Sequence, residues 1–103
     1  HPNYLCLIPP NLFGPNDNYD LKNSPFFPPL IKKIYLASKK PKKNKIVELW
    51  GTGNPLREVL YVDEVADACE FFLRKKIRKP MINIGSNTEM PIKDYGDFIK
   101  KKI

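Results

Sequence analysis

Tyr4-Leu5-Cys6-Leu7-Ile8 is a continuous apolar run, and Pro9-Pro10 stops it at once. An apolar run without alternation is the pattern of a strand buried on both faces, as in a parallel sheet. After the prolines, Asn11 to Asp20 is nearly all loop-forming. A loop of that length inside a compact domain is uncommon and is often functional. In open α/β sheets, ligands sit just outside the C-terminal ends of strands, which is where this loop would fall.

The rest of the chain supplies the matching helices. Pro28-Pro29 suits the first turn of a helix. Leu30, Ile31, Ile34, Tyr35 and Leu36 carry an amphipathic pattern to Ser38, with Lys32 and Lys33 on another face. Lys39 to Lys45, with Pro41 inside it, reads as an exposed connection. Ile46-Val47-Glu48-Leu49 and Val59-Leu60-Tyr61-Val62 read as short strands, as a hairpin or as neighbours, around the turn Gly51-Thr52-Gly53-Asn54-Pro55. Asp63 is a good N-cap. Val65, Ala68, Cys69 and Phe72 then recur at helical spacing. The acids of that segment come early and Arg74, Lys75 and Lys76 come late, which complements the helix dipole. Met81 to Ile84 reads as another buried strand, turned by Gly85-Ser86-Asn87. Ile92 to Ile103 reads as a helix with Ile92, Tyr95, Phe98 and Ile99 on one side. Gly96 weakens it by about 1 kcal/mol relative to alanine. The expected order is strand, loop, helix, strand, strand, helix, strand, helix, with no internal repeat and no sign of a second domain.

Composition narrows the function classes. The 103 residues carry a net charge of +7, which suits anionic partners. The lysines, however, gather in loops and helix ends, where they read as solvated faces. No zinc knuckle, RRM aromatic motif or GXXG loop accompanies them, so nucleic acid is not the expected partner. Nor is membrane: no apolar stretch approaches spanning length, and no signal peptide is visible. Cys6 and Cys69 read as small buried hydrophobes in a reducing compartment. One histidine and two cysteines without ligand spacing do not make a metal site.

One stretch stands out chemically. Leu49 to Asp63 holds the single tryptophan, Trp50, a glycine-rich turn, and the cation Arg57. An aromatic plane, a tight turn and a fixed cation can grip a flat, anionic small molecule. The same residues also suit a plain turn leading into a strand. No complete catalytic set emerges from spacing. There is no GxGxxG loop after a strand and no Walker A loop, and neither Ser24 nor Ser86 has an evident base.

Several segments together carry a resemblance. They are Pro10-Asn11-Leu12-Phe13-Gly14-Pro15-Asn16-Asp17-Asn18, then Asn23-Ser24, then Trp50-Gly51-Thr52-Gly53-Asn54-Pro55-Leu56-Arg57-Glu58-Val59-Leu60-Tyr61-Val62-Asp63, then Ile82-Asn83-Ile84-Gly85. In this order and spacing the chain resembles the GDP-L-fucose synthases, in the extended short-chain dehydrogenase/reductase group of NAD-dependent epimerase/dehydratases. The resemblance covers essentially all 103 residues. It implies an α/β fold: the C-terminal part of an extended Rossmann-type domain with its small substrate-binding subdomain. Residues 1–103 would form a single fragment, holding the end of the NAD(P)-binding sheet and the nucleotide-sugar subdomain. The implied parent is a cytoplasmic, NADPH-using enzyme, homodimeric at full length, that turns GDP-4-keto-6-deoxymannose into GDP-L-fucose. The resemblance places the glycine-rich loop and the catalytic Ser and Tyr-x-x-x-Lys upstream and assigns none of them here. The fragment alone would then be inactive.

The resemblance also implies roles. Pro9, Pro10, Asn11 and Leu12 match the segment that passes the nicotinamide end of the cofactor. Trp50 and Arg57 match substrate-contacting positions. Lys33 falls where the family usually has a substrate-binding arginine, so it keeps the charge but loses the bidentate geometry. Pro25 falls where the family usually has the histidine that handles protons during epimerisation, so no catalytic side chain is assigned. Asp63 and Asn83 read as structural and Tyr61 as packing, while Asn18 and Asn23 suit either sugar contacts or turn capping. Pro25 keeps other readings open: a 4-ketoreductase, or an epimerase for another nucleotide sugar. A non-catalytic basic module that binds nucleic acid is the alternative from a different class.

Overall fold

The computed structural model describes residues 4–49 and 51–103. In chain order the elements are β1 (Cys6–Ile8), β2 (Asn11–Phe13), α1 (Phe27–Ser38), a 3₁₀ turn (Lys42–Asn44), β3 (Leu56–Arg57), β4 (Val59–Tyr61), α2 (Val62–Leu73), β5 (Met81–Asn83), β6 (Met90–Pro91) and α3 (Ile92–Lys102). They fall into two compact units. The first is His1–Pro15 with Glu58–Thr88; the second is Asn16–Arg57 with Glu89–Ile103.

The first unit is built on parallel pairing. β1 runs parallel to β5, with Leu7 opposite Ile82, and β2 runs parallel to β4, with Leu12 opposite Leu60. Proline has no N–H to give to a ladder, and Pro9-Pro10 separates the two pairs along the chain. Backbone bonds extend the β1–β5 pair at both ends: Cys6 N–H donates to Pro80 O and Ile84 N–H to Ile8 O, each at 2.9 Å. Leu60 is buried, and Phe13 stacks on Tyr61 with ring centroids 5.5 Å apart. α2 packs on β4. Its exposed Glu70–Arg74 ion pair, one turn apart, is worth only about 0.3–0.5 kcal/mol.

The second unit is a helix pair beside a short antiparallel ladder. Phe27, Leu30, Ile34 and Ala37 recur at helical spacing along α1 and are all buried; α3 answers with Tyr95 and Ile99. β3 pairs antiparallel with β6, so Leu56 faces Pro91 and Arg57 faces Met90. Before α1, a polar loop holds its own shape. Asp20 accepts from the Lys22 N–H at 2.9 Å and from the Asn23 amide at 2.9 Å. Asn18 accepts from the Asp20 N–H at 3.0 Å, and the Ser24 hydroxyl donates to Asn18 O. Asp20 is therefore held below its ordinary carboxylate pKa, chiefly by the Lys22 N–H and then by the Asn23 side chain.

Several sequence expectations are corrected. Asn11–Phe13 is strand rather than loop, because its backbone finds a parallel partner in β4. No strand forms at 46–49, so neither of the expected arrangements with 59–62, hairpin or neighbouring strands, is made; β4 pairs with β2 instead. Val62 begins α2 rather than ending a strand. Tyr61 is the N-cap without a side-chain bond, and Asp63 sits inside the first turn, where its charge still suits the dipole. β1 and β5 alternate exposed and half-buried instead of being covered on both faces. Cys6 and Cys69 are exposed, for the same reason: little packs on β1 or on the outer side of α2 among the described residues. Asn83 ends β5 as expected.

Leu30→Ala removes a side chain from the α1–α3 contact and should cost about 2–4 kcal/mol in urea unfolding of the full-length protein, with an unchanged m-value. The Asp20 carboxyl, followed by carbon NMR against pH, should titrate below an ordinary aspartate. With its folded pKa depressed, its contribution to loop order is complete above the unfolded pKa. That contribution is lost as pH falls through the folded value.

Candidate functional site

Arg57 is the candidate side chain whose backbone is held at several points. It ends β3, where its backbone is paired with Met90. Its carbonyl accepts a hydrogen bond from the Tyr95 hydroxyl at 2.8 Å. The turn before it is pinned as well: Lys93 N–H donates to Gly53 O at 3.0 Å and Ile92 N–H to Pro55 O at 3.1 Å. These two donors belong to the first turn of α3, where helix N–H groups have no partner of their own. Gly53 is buried with φ +76°, and a Cβ there would come within 3.2 Å of the Lys93 Cβ, so the turn requires glycine. The guanidinium itself is exposed. One N–H donates to the neighbouring Leu56 O at 2.8 Å, and no carboxylate pairs with it among the described residues. An anchored backbone carrying a planar cation with spare donors is suited to phosphate oxygens.

Other predicted residues occupy the same unit. Lys33 lies half-buried on α1, the helix whose Phe27 ring packs 5.7 Å from the Tyr95 ring. Pro25 is exposed immediately before Phe26, the N-cap of α1. No proton-transfer group is available from Pro25. Nearby Asn18 and Asn23 both take part in the Asp20 loop: Asn18 accepts from the Asp20 N–H and the Asn23 amide donates to the Asp20 carboxylate. Trp50 lies outside the described residues.

Pro9, Pro10, Asn11 and Leu12 belong to the first unit. They follow the C-terminal end of β1 and enter β2, with Pro9 exposed and the next three half-buried. Pro9 and Pro10 thus occupy the position expected for the loop after β1, whereas Asn11 and Leu12 are strand residues of β2. The same unit carries an open groove of about 420 Å³ lined by Leu60, Glu64, Asp67, Ile84, Gly85 and Ser86. Its two carboxylates make it unsuited to phosphate. Beside it lies a contact that sequence reasoning missed. Glu58 accepts from the Ser86 N–H at 3.1 Å, and a Cβ on Gly85 would meet the same carboxylate at 2.5 Å. Nothing local signals this pairing between residues so far apart in sequence.

The chain also contains one literal Tyr-x-x-x-Lys spacing, Tyr35 to Lys39, which the sequence reading overlooked. At the C-terminal end of α1 the ammonium of the capping Lys39 sits 5.0 Å over the exposed Tyr35 ring, and the Ser38 hydroxyl donates to Tyr35 O. Lysine over the ring face is a surface cation–π pair, not a lysine reaching past a phenol toward a ligand. Among the described residues no group of three His, Cys, Asp or Glu side chains gathers to hold a metal, and no helix is long and apolar enough to cross a membrane.

Comparison with known proteins matches the chain to a family. GDP-L-fucose synthase 1 of Arabidopsis thaliana is 40% identical over 96 residues, which is 93% of this chain and 29% of that protein. GDP-L-colitose synthase of Yersinia pseudotuberculosis is 35% identical over 99 residues, 95% of this chain and 32% of that one. A solved GDP-L-fucose synthetase from Naegleria fowleri superposes with a TM-score of 0.80 at 27% identity, covering 94% of this chain and 29% of that chain; it has also been solved bound to NADP. The chain thus spans about 30% of the length of the relatives it matches. Residues 2–85 match the family described as NAD dependent epimerase/dehydratase, and with the α/β pairing described above, this chain belongs to that family.

Proposed function

We propose that this chain is the sugar-nucleotide-binding part of an NADP-dependent nucleotide-sugar epimerase/reductase of the GDP-L-fucose synthase kind. The observation that carries the reading is Arg57: an exposed guanidinium without a carboxylate partner among the described residues, on a backbone held by β6, α3 and the Tyr95 hydroxyl. In this reading Arg57 and Lys33 hold the nucleotide diphosphate and Trp50 packs against the nucleotide. The second unit is then the substrate subdomain, and the first is the end of the cofactor sheet. Pro9, Pro10, Asn11 and Leu12 would pass the nicotinamide. Their place after a parallel strand fits that role, and two prolines present a surface free of N–H donors. When bound, the reduced cofactor supplies the hydride that reduces a sugar ketone. The full-length enzyme would be a cytoplasmic homodimer, and this chain alone would not turn substrate over.

A second reading, a 4-ketoreductase or an epimerase acting on another sugar, is favoured by Pro25. A proline side chain can neither take nor give the protons that inversion beside a ketone requires. The 35% identical colitose synthase also warns that this degree of similarity does not set the sugar.

Two measurements on the full-length protein separate these outcomes. With a GDP-4-keto-6-deoxy sugar and NADPH, Arg57→Ala should raise the substrate KM about tenfold or more, and Arg57→Lys by less. An unchanged KM and kcat would remove Arg57 from the site. In deuterated water, an epimerase incorporates solvent deuterium at the inverted carbons, whereas a simple reductase returns product without it. Incorporation would mean that a residue other than Pro25 handles the proton.

A further inference from the structure

We propose that Tyr95 is a positioning residue for substrate binding, acting through Arg57; the inference rests on the reading of Arg57 given above. Tyr95 is 4% exposed. Its ring is set edge-on against Phe26 and Phe27, with both centroids 5.7 Å away and interplanar angles of 62° and 70°. Two aromatic neighbours in tilted contact leave the ring little freedom to turn, so the direction of its hydroxyl is set by packing. That hydroxyl reaches 38 residues back along the chain to the Arg57 carbonyl, at 2.8 Å.

The geometry matters because β3 is only two residues long. A ladder of that length gives Arg57 weak support on its own. The Tyr95 bond supplies a fixed point at the residue that carries the cation, in addition to the Gly53 and Pro55 contacts made by the same helix. A shift of about 1 Å in the Arg57 backbone would move its guanidinium out of forked contact with a diphosphate. The Tyr95 ring also touches Phe26, the residue after Pro25. One buried side chain therefore supports both the diphosphate cation and the segment expected to face the reacting sugar. The hydroxyl serves the first and the ring serves the second.

Tyr95→Phe separates these roles, since it deletes one oxygen and keeps the ring. In the full-length enzyme it should raise the KM for the nucleotide sugar about three- to tenfold while leaving kcat within about twofold and the KM for NADPH unchanged. In an Arg57→Ala background the same substitution should add nothing. Tyr95→Leu, which also removes the ring, should lower kcat in addition and lower the melting temperature. A purely structural tyrosine would shift the melting temperature without the KM-selective effect. If Arg57→Ala raises KM and Tyr95→Phe does not, this proposal is overturned and the assignment of Arg57 stands. Additive losses in the double variant also overturn it, because Tyr95 would then act independently of Arg57. If Arg57→Ala itself has no effect, the functional reading fails and this inference falls with it.

Discussion

Phe13 and Tyr61 stand opposite each other in adjacent parallel strands, and much of the chain's path follows from that pairing. Strands that run parallel cannot be joined by a tight turn; the chain must leave the sheet and return to the starting end. Here the excursion between β2 and β4 is residues 14–58, and its part from Asn16 to Arg57 forms most of the second unit. The β1–β5 pair imposes the same condition over a longer span. The substrate-side candidates Lys33 and Arg57 thus lie on a crossover, and the proposed cofactor segment Pro9–Leu12 lies at its root.

Within the second unit the first turn of α3 acts as a template. A helix start has N–H groups with no helical partner, and two of them are satisfied by the carbonyls of Gly53 and Pro55. A loop carrying a left-handed glycine would otherwise be among the less ordered parts of a small domain. Its backbone bonds to α3 make it a rigid support for the cation that follows. The core of α1 and α3, in turn, holds the template in place.

Membership of the epimerase/dehydratase family and the identity of the side chain at position 25 pull in different directions chemically. In the proposed reading, Arg57 would meet a nucleotide sugar and the segment after β1 a dinucleotide. Pro25 removes a proton carrier where the resemblance expects one. The polar loop just before it, from Asn18 to Ser24, is internally hydrogen-bonded and keeps Asp20 anionic, so it offers an acceptor and no obvious acid. Binding and hydride transfer need no group at position 25, whereas inversion beside a ketone needs proton transfer from somewhere.

Much was legible in the sequence because it is encoded locally. Prolines 28 and 29 fall in the first turn of α1, and Leu30 and Ile34 of its apolar pattern are buried, although Tyr35 and Leu36 of the same pattern are exposed; in α3, Tyr95 and Ile99 are buried while Phe98 is exposed. The motif around Arg57 carried the family. Pairing was not legible. Asn11–Phe13 looks like loop because its strand character comes only from β4, and Ile46–Leu49 looks like strand but finds no partner. Cys6 looks buried because it sits in an apolar run, and Cys69 because it falls on the apolar side of a helical pattern, yet exposure depends on what packs across from them. Residue types and periodicity, then, determined the helices, the turn glycine and the chemistry available at Arg57. Tertiary structure alone decided that Tyr95 bonds Arg57 and that Glu58 bonds Ser86, because hydrogen bonds between distant residues depend on how the chain returns to itself and leave no local trace in the sequence.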